Sequence, residues 1–185
     1  MAALLYESAG GLYDRFVGGR DRALRVLRRA FAAAGTNASS DIVSVGELDG
    51  RVAGALAAFP AEETRARAKA FLRVTLRATP PWRWPGGMRI YYAGARAAPS
   101  PPMGALYVDA LAVYQEHRRR GVARALLEEA ERRARDLRLG SVALDTSLDN
   151  KPARSLYVSA GFEEVAYRPG GGGMPGFVAL AKELR

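Results

Sequence analysis

The chain of 185 residues contains no cysteine and only one histidine, His117. The first absence excludes disulfides, a thiolate nucleophile and cysteine-ligated zinc or iron–sulfur sites. The second excludes a multi-histidine metal centre. No apolar run approaches the ~18 residues that a membrane span requires. The N-terminus also lacks the basic stretch and apolar run of about 7–15 residues that make a secretory signal. The expectation is a cytoplasmic protein with no metal and no membrane partner. A single domain over residues 1–185 is expected, with enough chain for one sizeable core.

Acidic residues are in short supply: 19 Asp and Glu against 28 Lys and Arg, a formal net charge of +9. Such a balance favours a polyanionic ligand, whether nucleic acid, an anionic surface or a phosphorylated small molecule. The abundance of arginine over lysine, together with alanine and glycine, is equally explained by genomic base composition.

Hydrophobic periodicity supplies the element order. Leu4–Ser8 reads as a short first strand, with Gly10-Gly11 as a break. Arg20–Ala34 has apolar residues at 3.6-residue spacing and predicts a helix that Gly35-Thr36-Asn37 ends. Ile42–Leu48 and Arg51–Phe59 are extended runs joined by Asp49-Gly50, a hairpin signal. Ala61–Ala78 reads as helix, and residues 80–102, rich in proline and carrying Trp82 and Trp84, as a long irregular segment. Then follow a strand at Ala105–Val113, a helix at Gly121–Leu137, a strand at Ser141–Thr146 and a short helix at Pro152–Ser159. Strands at Phe162–Tyr167 and Phe177–Lys182, separated by Gly170–Gly173, complete an α/β (α+β) domain with a mixed sheet. On the Gly121–Leu137 helix, Glu128/Arg132, Glu129/Arg133 and Glu131/Arg135 are spaced to pair.

The segment that carries most chemistry is the apolar strand end Leu111-Ala112-Val113, followed by the loop Arg118-Arg119-Arg120-Gly121-Val122-Ala123-Arg124. The loop opens directly into a helix, whose first N–H groups are unpaired and positively polarised. Arginines beside those donors suit a phosphorylated ligand. A second stretch, Asn150-x-x-Ala153-x-x-Leu156-Tyr157-x-x-x-Gly161-Phe162, lies one helix and one strand further on.

In both places the chain resembles the GNAT family of N-acetyltransferases. Arg118-x-x-Gly121-x-Ala123 matches that family's Gln/Arg-x-x-Gly-x-Gly/Ala pyrophosphate motif, and the Asn150–Phe162 stretch has the spacing of its C-terminal cofactor segment. The resemblance is strong from about Tyr107 to Phe162. It implies a mostly antiparallel sheet, flanked by helices and splayed where acetyl-CoA enters. It also implies that backbone groups of Leu111, Ala112 and Val113 meet the pantetheine arm and thioester. By the same resemblance Arg118, Arg119, Arg120, Gly121, Val122, Ala123 and Arg124 cradle the pyrophosphate. Asn150 would bind the pantetheine arm, and Tyr157 would face the sulfur as the general acid.

Direct transfer of acetyl from acetyl-CoA to a primary amine in a ternary complex is therefore expected, since no cysteine exists to carry the acyl group. Asp109, on the central strand, is placed to take the amine proton, to bind substrate or to make a structural hydrogen bond. Tyr107 shares its face by strand alternation. His117 reads as a solvated loop residue. The acceptor is a small-molecule or peptide amine, approached from the Arg20–Ala34 helix and the 80–102 segment. A homodimer is left open. The rival readings are an acyl-CoA-binding sensor without catalysis and a basic nucleic-acid-binding module. The charge pairing along Gly121–Leu137 weighs against the second.

Overall fold

The computed structural model describes residues 2–8, 12–171 and 175–184. Gly10-Gly11, and Gly172 and Gly173 of the later glycine run, fall outside the described residues. The elements in chain order are α1 (Ala2–Ser8), α2 (Leu12–Val17), α3 (Arg20–Ala32), β1 (Val43–Leu48), β2 (Arg51–Pro60), α4 (Thr64–Ala78) and α5 (Trp84–Ala97). They continue with β3 (Ala105–Val113), α6 (Val122–Asp136), β4 (Ser141–Ser147), α7 (Lys151–Ser159), β5 (Glu163–Arg168) and β6 (Phe177–Glu183). The six strands form one mixed sheet in the order β1-β2-β3-β4-β6-β5. Every neighbouring pair is antiparallel except β3/β4, which is parallel and joined through α6.

The hairpin between β1 and β2 closes on Asp49 and Gly50, both at positive φ (53° and 71°), the backbone that the right-handed strand twist demands. One sheet face is covered by α6 and α7. There Leu126, Leu127, Ala130 and Ala134 of α6 meet Leu56, Leu106, Val142 and Leu180. The other face is covered by α1, α3 and α4 over β1–β3, with Leu5, Val26, Leu27 and Phe71 against Ile42, Ala57 and Phe59. No helix among the described residues is long and apolar enough to cross a membrane.

Two expectations fail. Leu4–Ser8 is not a strand but part of α1, which lies against α3 and β3 with Leu4 and Leu5 buried. Among the described residues the sheet accordingly has six strands, not seven. A five-residue stretch fits either element, and alanine, leucine and glutamate favour helix once a packing surface is at hand. The 80–102 segment is not irregular throughout, because α5 occupies Trp84–Ala97. Pro85 sits in the first turn, where its missing N–H costs nothing. Gly87 permits close packing: a Cβ there would lie 3.2 Å from the Phe16 carbonyl oxygen on α2.

The charge pattern on α6 also differs in detail. Arg132 pairs with Glu129, and Arg135 with Glu131 at 3.5 Å. Arg133 instead donates to the backbone carbonyls of Ile42 (3.1 Å) and Ala58 (3.2 Å), tying the helix to the sheet. Buried Glu131 takes a second partner, Lys182 Nζ at 2.5 Å.

Candidate active site

Parallel pairing between β3 and β4 runs only from Ala105↔Ser141 to Val108↔Leu144, although both strands continue beyond it. From Asp109 to Val113 the edge of β3 facing β4 therefore has no partner strand among the described residues. Its backbone donors and acceptors require a ligand or water. On the opposite edge the register with β2 slips, so that Ala57 faces Ala110 while Ala58 faces Val108. Asp109 is the extra residue of a β-bulge. Leu106 and Val108 lie in the core beneath α6, and after the bulge so do Leu111 and Val113. Tyr107 and Ala110 belong to the opposite face. Strict alternation would have put Leu111 on the side of Tyr107; the bulge reverses it.

A part-buried polar cluster gathers at the point where the strands part. Tyr107 Oη donates to Asp145 Oδ2 of β4 at 2.5 Å, and Asn37 Nδ2 donates to Asp109 Oδ2 at 3.2 Å. Asn37 is held there by a pinned loop. Thr36 Oγ1 donates to the Ala30 carbonyl, Ser39 Oγ donates to the Thr36 carbonyl, and Arg67 Nη1 donates to the same carbonyl. Burial, reinforced by the charge of Asp145, raises the Asp109 carboxyl to about 7, against a smaller lowering by Asn37. Burial also raises Asp145, opposed by the hydrogen bond from Tyr107. Tyr107 itself is pushed well above the usual phenol range by burial and then by the two carboxylates. Asp109 is thus a carboxyl that exchanges its proton near neutral pH, as a general base requires.

On the far side of the strand opening stands the loop before α6. Arg119 and Gly121 both have positive φ (62° and 83°), curving the backbone so that its N–H groups turn inward. Gly121 is the N-cap of α6 and supplies no side chain to satisfy the first turn. The first helical bond runs from the Ala125 N–H to the Gly121 carbonyl at 3.0 Å, which leaves the N–H groups of Val122, Ala123 and Arg124 as donors for an anion. Arg120 pairs with Asp49 at 3.0 Å, and Arg124 donates to the Ser159 carbonyl on α7 at 3.0 Å. Arg118 Nε donates to the Val113 carbonyl at 3.2 Å, closing the loop onto the end of β3. Each side chain braces the loop while keeping a cation beside the exposed donors.

Asn150 is the N-cap of α7: its Oδ1 accepts from the Ala153 N–H at 3.3 Å and its Nδ2 donates to Thr146 Oγ1 at 3.2 Å. Its second amide N–H remains for a ligand. Tyr157 lies on the inner face of α7, buried and packed at 6.2 Å between ring centroids on Phe162. Burial, with the nearby charge of Asp145, raises its phenol to about 12. His117 is half-buried, not solvated, on the turn after β3, and its Nδ1 has no partner among the described residues.

Asp145 and Asn37 are the members of this cluster that sequence reasoning passed over. Asp145 is a lone carboxylate inside the apolar run Ser141–Thr146, a visible signal; Asn37 reads simply as a helix-ending turn residue. A cavity of about 240 Å³ opens beside Tyr107 and Asp145, floored by alanines of β4 and β6 and walled by Pro99–Pro102. The tail of the 80–102 segment therefore does reach the site, and so does the loop after α3 through Asn37.

The sequence model of the acetyltransferase (GNAT) family matches residues 14–162. N-acetyltransferase 8B of Mus musculus is 33% identical over 81 residues, which are 43% of this chain but only 35% of that protein's length. Among solved structures, an N-acetyltransferase from Staphylococcus aureus Mu50 superposes with a TM-score of 0.71 at 18% identity, covering 97% of this chain and 92% of that one. An acetyltransferase from Bacillus subtilis, solved in complex with CoA, gives 0.50 at 13% identity over 77% of this chain and 76% of that one. The splayed β3/β4 pair, the open N-terminus of α6 and the family match agree, and this chain belongs to the GNAT acetyltransferase family.

Proposed function

We propose that this protein transfers an acetyl group from acetyl-CoA to a primary amine, directly, within a ternary complex. The observation that carries the reading is Asp109: a bulged, part-buried carboxyl raised to about 7, at the point where β3 and β4 separate. The pyrophosphate would rest on the N–H groups of Val122, Ala123 and Arg124, and the pantetheine arm would pair with the free edge of Leu111–Val113. The second amide N–H of Asn150 would bind the same arm.

An alkylammonium with pKa near 10.4 is neutral in only about one molecule in a few thousand at pH 7. The ammonium first loses one proton to solvent, and Asp109 accepts the second as the freed nitrogen lone pair forms the amide bond. The carbon–sulfur bond breaks and the thiolate leaves. Tyr157, held neutral at about 12, donates a hydrogen bond to that sulfur; its high value suits hydrogen-bond donation better than complete proton transfer. No cysteine is present to accept the acyl group first, so attack by the amine itself is the step.

The test is thiol release from acetyl-CoA with a panel of primary amines. Amine-dependent release supports the reading, and so does formation of the N-acetyl product. Tight acetyl-CoA binding with no turnover on any amine, peptides included, would make the protein a sensor instead.

A further inference from the structure

The cavity beside Asp145 has a composition at odds with the rest of the molecule. In a chain of net charge +9, the only charged residues lining it among the described residues are Asp145 and Glu183, both acidic. Its floor is Ala143 of β4 with Ala179 and Ala181 of β6, and Pro99–Pro102 form the opposite wall. Methyl groups and proline rings offer width for a slender alkyl chain and almost no hydrogen bonds for a sugar or a peptide backbone.

The two carboxylates stand at opposite ends of this trough. Asp145 pairs with Ala179 across the β4/β6 ladder, whereas Glu183 lies beside Ser141. Four residues on one strand separate the two rungs, so both carboxylates fall on the same sheet face, roughly 13 Å apart along the strands. Asp145 sits just past the last β3/β4 rung, at the mouth of the acyl site, with one oxygen held by Tyr107. Glu183 is exposed and forms no ion pair among the described residues.

From this arrangement we infer that the acceptor is a slim, extended alkyl amine bearing a second cationic group. The reacting nitrogen lies by Asp145 and Asp109, the chain lies along the alanine floor, and the distal cation lies at Glu183. With each nitrogen about 3 Å inside its carboxylate, the preferred separation of the two cations is roughly 7 Å. The inference rests on the acetyl-transfer reading above.

The experiment compares alkyl diamines of increasing length with monoamines of the same length, using the full chain at saturating acetyl-CoA. The expected result is a kcat/KM ratio of diamine to monoamine that peaks near that separation, at about fivefold or more, the scale of one partly exposed ion pair. Glu183→Gln should bring the ratio close to one, and Glu183→Lys should invert it. Melting temperature checks that both variants are folded, and exposure of Glu183 favours that outcome. Monoamines and diamines used equally well at every length, or a preference untouched by Glu183→Lys, would overturn the inference while leaving acetyl transfer intact. No turnover on any amine would remove both.

Discussion

Tyr107 and Asp145 bridge the two central strands by a 2.5 Å hydrogen bond, placed where the β3/β4 ladder ends. The bond keeps a part-buried carboxylate solvated by a phenol and aligns the mouth of the site. Tyr107→Phe removes the only donor to that carboxylate among the described residues and should cost about 1–3 kcal/mol. The bond lowers the Asp145 pKa, so its loss raises that value further. The destabilisation should therefore be larger at pH 8 than at pH 3, which lies below even the ordinary carboxylate value that Asp145 exceeds. Urea denaturation at the two pH values reads this directly.

Asp109 should show opposite effects on activity and stability. Its carboxyl is raised to about 7 in the fold, above the value of an unfolded aspartate. A raised group contributes stability at low pH and loses it as pH climbs through the folded value. Asp109→Asn should thus be neutral near pH 3 and stabilising above pH 7, by up to about 4 kcal/mol. Turnover should fall by about 10²–10³-fold, and the rise of kcat with pH through about 7 should disappear. A variant that keeps this limb of the profile would show that another group takes the proton.

Ala123→Asp sets helix stability against ligand binding. An acidic residue in the first turn of α6 favours the helix by a few tenths of a kcal/mol to 1 kcal/mol. The same charge opposes a pyrophosphate on those N–H groups and should weaken acetyl-CoA binding at least about tenfold. Calorimetry for affinity, with thermal melting alongside, should show the two quantities moving in opposite directions. Unchanged affinity in this variant would mean that the anion binds elsewhere.

Tyr157→Phe keeps the ring that packs on Phe162 and removes only the hydroxyl. The expected loss in kcat is about 10²-fold, with acetyl-CoA affinity and melting temperature little changed. Single-turnover kinetics should place that loss in the chemical step. Retention of full rate would assign Tyr157 to packing alone.

Local rules made some parts of this molecule readable and left others dark. The Asp49-Gly50 hairpin and the strand–loop–helix at Leu111–Ala123 announce themselves because the residues at each position have few other uses. The helix α5 hides behind Pro80, Pro81, Pro85, Gly86 and Gly87, residues that usually break helices but here start one and let it press on Phe16. Asp109 is visible as a carboxylate on a central strand, yet its bulge depends on pairing with β2 some fifty residues away in sequence. Asp145 and Asn37 join it only through tertiary packing, from a strand and a loop that no local pattern links.

The shortness of the β3/β4 ladder has a mechanical consequence. Four rungs, Ala105 to Val108 against Ser141 to Leu144, join a leaf of β1-β2-β3 to a leaf of β4-β6-β5. The helix α6, which touches strands on both sides of this seam, is the strap across it. Parting the leaves breaks fewer backbone bonds than opening any antiparallel ladder in the sheet, so the ligand-free protein breathes here first. A molecule lying in the gap adds the missing rungs and clamps the leaves together. Occupancy of the site is then felt in amide exchange on both sides of the seam, along β3 and β4.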